Sequence, residues 1–235
     1  MRTVPASHAA ARLVGASRGA AFQAVSLELA YGELVAFLGG AEASTLVDCL
    51  TGAKAVTAGE AWIAGVRLDA LSARTRARHL HEQVGRVDTA LLPPGMTARE
   101  ILTVPFRLAG RPVDPAHLDR VLDLLDLRHR TGAPAETFAA AGEVGRLALG
   151  FALAGDPDLV VADGGVLDRA ELVAALGRWA HRWEPAAAFV TDDPDLAALA
   201  DRAIVVRHGR IVADLDAPTT RELTDILGEA VPHAS

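Results

Sequence analysis

Two hydrophobic rhythms alternate along this chain. Short unbroken apolar runs, "LVAFL" from Leu34, "LVVA" ending just before Asp163, and "AAFVT" ending at Thr191, are continuous enough to be strands covered on both faces. Between and after them, apolar residues recur at helical spacing. Leu118, Val121, Leu122 and Leu125 form one such stripe, with Asp114 as its N-cap and Pro115 at the first helical position. The segments "EVGRLALGFALAG", "LDRAELVAALGRWAHRW", "PDLAALAD" and "TTRELTDILGEA" read as further helices. "VSLEL" reads as a strand, "EAWIAGVRL" as a hairpin turning at Ala64-Gly65, and "RAIVVRHGRIVADL" as a hairpin turning at His208-Gly209. The N-terminal "ASHAAARLVGASRGAAF" is read as an irregular first strand, and "TRARHLHEQVG" as helix or loop. Strand and helix in alternation predict an α/β fold with a mostly parallel sheet.

Composition narrows the class. A chain of 235 residues can bury one substantial core, or a main layer with a smaller lobe, without disulfides, and 1–235 is treated as a single domain. Cys49 lies on the apolar side of its segment, which fits a reduced compartment and an unreactive thiol. No run of about 18 apolar residues offers a membrane span, and the N-terminal stretch lacks the continuous apolar core of a signal peptide. The net charge is −7 and no basic block occurs, which argues against nucleic acid as a partner. Arginine is used almost to the exclusion of lysine, a sign of GC-rich coding.

The segment "AFLGGAEASTLVDCL" carries the candidate chemistry. It has the outline of a phosphate-binding loop between strand and helix, with Gly39-Gly40 as the turn, Ser44-Thr45 as the hydroxyl pair, and Leu46, Val47 and Leu50 on one helix face. Such a loop, G-x-x-x-x-G-K-[ST], wraps backbone N–H groups around a phosphate, reaches the terminal phosphates with Lys, and holds Mg²⁺ with the hydroxyl. From Gly39 to Ser44 the segment is two residues shorter than that motif, and it lacks the second glycine and the lysine. Glu42 would oppose a phosphate by ~1–4 kcal/mol at near-surface dielectric. The only lysine, Lys54, lies about 13 Å along a helix from Thr45 and cannot substitute. Ser44 and Thr45 also have a plainer reading as helix N-caps.

Taken together, "GELVAFLGG…STL", "TAGEAWIAG", "LLPPGMTAREI", "FALAGDPDLVVAD" and "FVTDDPDLAALADRAIVVRHGRIVAD" resemble the ATP-binding subunit of an ABC transporter of the lipoprotein-release or macrolide-export type. The resemblance runs from about Val25 to Asp214. It implies a P-loop NTPase-like ABC ATPase fold: a mostly parallel central sheet with an antiparallel β lobe and a helical lobe at about 97–150. It also implies ATP and Mg²⁺ as ligands, a membrane permease and a second ATP-binding subunit as partners, and a cytoplasmic location at the inner face of the membrane.

The catalytic positions depart from the family pattern. The signature L-S-G-G-Q falls on Ala139 to Glu143, where only Gly142 is kept. Asp163 keeps the Mg²⁺-shell position, but the water-polarising carboxylate that should follow is Gly164. The switch histidine is Asp192, the Q-loop glutamine is Thr89, and Asp168 retains the D-loop aspartate. The resemblance therefore implies a vestigial nucleotide site at Gly39, Gly40, Ser44, Thr45, Gly142 and Asp168, a vestigial Mg²⁺ site at Ser44 and Asp163, no catalytic residue, and weak or absent ATP binding. Leu91, Leu92 and Met96 lie in the stretch that receives a permease helix in the family. They are candidate docking residues, or else filling for the helical lobe.

Three functions stay open at this point: a non-hydrolysing subunit docked on a permease and paired in a homodimer or opposite an intact ATPase; a soluble regulatory protein on the same fold; and an active enzyme. For the last, Asp163, Asp192 and Asp193 with a hydroxyl could hold Mg²⁺; the alternative is that Asp193 caps the helix at Pro194 while the other two are solvated. The histidines are read as a solvated face, and Trp179 with Trp183 as core or partner surface.

Overall fold

Why the apolar runs are unbroken is visible in how the central sheet is covered. A computed structural model describes residues 9–138, 142–162, 165–167 and 169–228. In chain order the elements are β1 (Ala9–Arg18), β2 (Phe22–Ala30), β3 (Leu34–Leu38), α1 (Gly40–Leu50), β4 (Ala58–Ile63), β5 (Val66–Arg67), α2 (Ala73–Gln83) and β6 (Val84–Val87). They continue with α3 (Ala98–Leu108), α4 (Pro115–Leu124), α5 (Glu143–Ala154), β7 (Leu159–Ala162), α6 (Ala170–Trp183), β8 (Ala186–Val190), α7 (Pro194–Ala197), β9 (Arg202–Arg207), β10 (Arg210–Asp216) and α8 (Thr220–Gly228). Six strands form one sheet in the order β10-β9-β3-β8-β7-β6. All its pairings are parallel except β9 with β10.

Each inner strand divides its residues between two cores. Leu34, Ala36 and Leu38 of β3, Val160 and Ala162 of β7, and Ala187 and Phe189 of β8 face α3 to α6. Val35, Phe37, Leu159, Val161, Ala186, Ala188 and Val190 face α1 and the second sheet. With both faces buried, alternation of polar and apolar has no use, and a continuous apolar run results. The expected adjacency of the three runs holds: β3 pairs with β8 and β8 with β7.

The second sheet is antiparallel, in the order β2-β1-β4-β5. β1 is irregular as expected, with register shifts along its pairing with β2. Both expected hairpins turn through paired positive φ values, 49° and 76° at Ala64-Gly65 and 50° and 70° at His208-Gly209, the geometry of a type I′ turn. Helices α3, α4 and α5 pack against one another. Asp114 caps α4 by accepting from the Ala116 and His117 amides, and Thr97 with Glu100 forms a capping box on α3.

Two expectations fail here. The stretch from Thr75 is helical through Gln83, one of its two readings, but its last residues Val84 and Gly85, where the pattern offered helix or loop, begin an edge strand, Val84–Val87, beside β7; tertiary pairing decides this short segment, and Gly85 permits it because a side chain there would strike the Ala152 carbonyl of α5. His117 is not on a solvated face. It is buried, and its Nε2 donates to the Leu153 carbonyl at 3.0 Å, tying α4 to α5. Trp179 is fully buried and Trp183 packs on the same core.

Candidate functional site

The candidate phosphate loop is not a loop. After β3 the chain makes its turn within Gly39 and Gly40, at φ 131° and 53°, and is helical from Gly40 onward. Gly39 is forced by packing, since a Cβ there would overlap the Val206 carbonyl of β9. The Glu42 and Ala43 amides turn back to the Gly39 carbonyl, at 3.2 and 3.4 Å. The backbone donors that a phosphate loop leaves open are thus largely consumed by the helix itself.

Two carboxylates stand at this end of α1. Gly40 N donates to Asp192 Oδ1 at 3.0 Å. Glu42, in the first turn, accepts from Gly209 N at 3.2 Å through Oε2, which links α1 to the turn between β9 and β10. A helix N-terminus carries a partial positive charge that favours an anion. Here the chain supplies its own.

Ser44 and Thr45 are not helix caps. They lie inside α1, whose N-cap is Gly39, and Thr45 Oγ1 donates to the Ala41 carbonyl at 2.8 Å. The shortened turn starts the helix before these residues are reached, so the hydroxyl pair is carried away from the turn. Lys54 lies beyond the far end of α1, 2.9 Å from Asp48, which also pairs with Arg86. Cys49 is buried on the apolar side, and burial pushes its thiol upward, away from thiolate chemistry.

The other candidate positions that the structure describes lie on separate elements. Asp193 caps α7, accepting from the Asp195 amide at 2.8 Å, so the capping reading holds for it. Thr89 begins an exposed 3-10 turn, Thr89–Leu91, capped by Asp88. Gly142 is the N-cap of α5 at φ 88°, with the Arg169 side chain packed where a Cβ would point. Asp163, Gly164, Asp168 and Ala139 to Ala141 lie outside the described residues. Among the described residues no group of three or more His, Cys, Asp or Glu side chains is placed to hold a metal.

A second feature lies beyond the far end of α1, where Thr51 and Ala53 reach a cleft. A cleft of about 560 Å³ opens between α2, β6 and α3, with Leu80, Leu91, Val104, Leu108, Phe151 and Pro157 among its walls. Of the three docking candidates, Leu91 is exposed at 45%, while Leu92 and Met96 are half-buried and packed on the core. Ile101 and Phe106, from the same stretch, are core residues. Leu108, 60% exposed at the end of α3, belongs to the cleft and was not singled out in the sequence. Its position on the cleft side of α3, four residues past Val104, is the signal that could have found it. No helix among the described residues is long and apolar enough to cross a membrane.

Comparison with known proteins gives a consistent result. The ABC transporter family matches residues 22–165. The chain is 35% identical over 205 residues to the lipoprotein-releasing system ATP-binding protein LolD 1 of Caulobacter vibrioides, covering 83% of this chain and 87% of that protein. It is 35% identical over 202 residues to LolD of Xylella fastidiosa, covering 80% and 82%. Among solved structures, a dimeric bacterial ABC transporter cassette superposes with a TM-score of 0.75 at 20% identity, over 88% of this chain and 99% of that one. The protein cbiO1 from Clostridium perfringens, part of the ABC transporter complex cbiONQ, gives 0.79 at 17% identity, over 93% and 92%.

Proposed function

Because this chain belongs to the ABC transporter ATP-binding family, we propose that it serves as a LolD-like subunit that docks on a membrane permease without hydrolysing ATP. The observation that carries this reading is the Gly40 to Asp192 contact at 3.0 Å. At the strand-to-helix turn where this family holds phosphate, the helix end is occupied by an internal carboxylate, a second carboxylate sits in the first turn, and no lysine is near. Repulsion between a phosphate and either carboxylate would cost ~1–4 kcal/mol at near-surface dielectric. Phosphoryl transfer depends on positioning and charge stabilisation. A site with this charge pattern and without the carboxylate at Gly164 is unsuited to both, so ATP·Mg²⁺ binding is weak or absent.

Docking is supported by the apolar cleft between α2 and α3, where Leu91 and Leu108 stand exposed. Apolar patches of this kind on a folded chain mark partner sites. The proposed subunit works at the cytoplasmic face of a membrane, paired with a second copy or with an intact ATPase subunit. The dimeric cassette among its structural neighbours supports the pairing.

The test measures phosphate release and equilibrium ATP·Mg²⁺ binding by the purified chain, alone and with its membrane fraction. No turnover above background and no saturable binding at millimolar nucleotide are expected. Turnover near one per second that disappears in Asp163→Asn would overturn the non-hydrolysing reading and leave an active transporter ATPase in its place.

A further inference from the structure

The turn between α3 and α4 is fixed by its own local structure. The Arg111 amide donates to the Phe106 carbonyl at 2.9 Å and the Gly110 amide to the Arg107 carbonyl at 3.0 Å, with Gly110 at φ 64°. These are the two bonds of a Schellman motif, which closes a helix through a left-handed glycine. Pro112 then restricts the backbone, and Asp114 with Pro115 starts α4. Residues Gly110 to Ala116 are exposed without a break, so the turn projects from the packed helices. A turn built this firmly holds two apolar side chains in solvent. Leu108 is 60% exposed, more than any other large apolar side chain among the described residues, and Val113 is 37% exposed. Arg107 and Arg111 are exposed beside them. Arg111 is steadied by the neutral Gly155 carbonyl, to which its Nη2 donates at 2.5 Å, and its guanidinium lies 5.9 Å from the centre of the Phe106 ring. The one carboxylate between Arg107 and α4 is Asp114, and its charge is turned to the N-terminus of α4, where it accepts from the Ala116 and His117 amides.

We propose that this turn rests on anionic lipid headgroups beside the permease, with Leu108 and Val113 in the apolar boundary and Arg107 and Arg111 against lipid phosphate. The inference rests on the docking reading above, which sets the neighbouring cleft against a membrane protein; Leu108 lines that cleft and Val113 does not. An apolar tip flanked by cations suits the boundary between water and hydrocarbon, because the apolar side chains leave water while the cations stay at the phosphates. A protein partner held by the turn alone would need a contact of ~800 Å² on each side, more than one short turn offers. The net charge of −7 repels anionic lipid from the rest of the surface, which confines the contact to this turn.

The experiment mixes the full chain with vesicles at low salt and reads binding by cosedimentation. Phosphatidylglycerol vesicles should bind it about tenfold more tightly than phosphatidylcholine vesicles, and high salt should shrink that preference. Val113→Glu and Arg107→Glu, both at exposed positions, should each abolish it while leaving Tm unchanged. In a second arm, Val113→Cys carries a polarity-sensitive dye, Cys49 being buried. Its emission should shift to the blue on phosphatidylglycerol vesicles, and Leu108→Ser in the same labelled protein should weaken the shift. Equal binding to the two lipids, or no dye shift on either, would overturn the proposal; loss of Leu91→Glu from native membranes would in that case leave the docking reading standing. A dye shift on native membranes but not on vesicles would assign the turn to a protein partner and likewise overturn it. If the vesicle results hold while Leu91→Glu stays on salt-washed native membranes at the wild-type level, the lipid contact stands and the docking reading fails.

Discussion

The Gly40 amide donates to the Asp192 carboxylate at 3.0 Å across 152 residues of chain, joining the start of α1 to the segment that follows β8. The contact binds two neighbouring strands of the central sheet through their outgoing turns, since β3 and β8 are paired in parallel. Its charge is matched to the partial positive end of the helix. Asp192→Ala should therefore lower stability by about 0.5–1 kcal/mol, a fall in Tm of about 1–4 °C for a chain of this size. Thermal unfolding of the two proteins side by side checks it; an unchanged Tm would mean that the contact holds nothing in solution.

Single reversions toward the family pattern should not produce an ATPase. Gly164→Glu and Asp192→His, separately or together, leave the helix starting at Gly40 and no lysine at its N-terminus. Phosphate release should stay at background in each. Only a variant that also lengthens the turn after Gly39 and adds lysine before Ser44 can present amides and a cation to phosphates. Activity in the Gly164→Glu protein alone would contradict the account of the turn.

The two glycines of the turn should respond differently to alanine. At Gly39 a Cβ overlaps the Val206 carbonyl, so Gly39→Ala must move backbone and should cost about 3 kcal/mol or more. At Gly40 the nearest atoms are the Asp192 carboxylate oxygens at 3.9 Å, and only the positive φ is unfavourable, about 1 kcal/mol. Denaturant midpoints of the two variants give the order directly.

Glutamate substitutions across the docking stretch should separate surface from core. Leu91→Glu and Leu108→Glu, at exposed positions, should release the protein from native membranes while Tm changes little. Leu92→Glu and Met96→Glu put a carboxylate against the core and should lower Tm by several degrees whatever they do to docking. Membrane retention of Leu91→Glu and Leu108→Glu at the wild-type level would remove the cleft from the docking surface.

Acid should loosen the helical elements at their caps. Amide and hydroxyl donors from Thr97 hold the Glu100 carboxyl below its ordinary range, and the His117 and Ala116 amides do the same for Asp114. A carboxylate whose pKa is lower in the folded state contributes stability that is complete above the unfolded value, about 4, and is lost as pH falls through the folded value. Melting followed from pH 7 down to pH 2.5 should show Tm falling below about pH 4. Glu100→Gln with Asp114→Asn should melt lower at pH 7 and show a smaller loss on acidification. Parallel curves for both proteins would refute the assignment.

The sequence by itself determined the layers. Unbroken apolar runs mark strands buried on both faces, helical stripes mark their covers, and Ala64-Gly65, His208-Gly209 and Asp114-Pro115 mark turns and a cap whose geometry is local. These features follow from interactions within a few residues of chain, so they are legible in order of sequence. The shortness of the turn after Gly39 and the absence of lysine from it were equally legible. What filled the vacated charge position was not. Asp192 meets Gly40 only because β8 lies beside β3, and Glu42 meets Gly209 only because β9 lies on the other side of β3. The strand at Val84–Val87, the burial of His117 beneath α5 and the pairing of α2 with α3 across one cleft are likewise products of packing. Such contacts join residues far apart in the chain, and their energies depend on which surfaces the sheet order brings together.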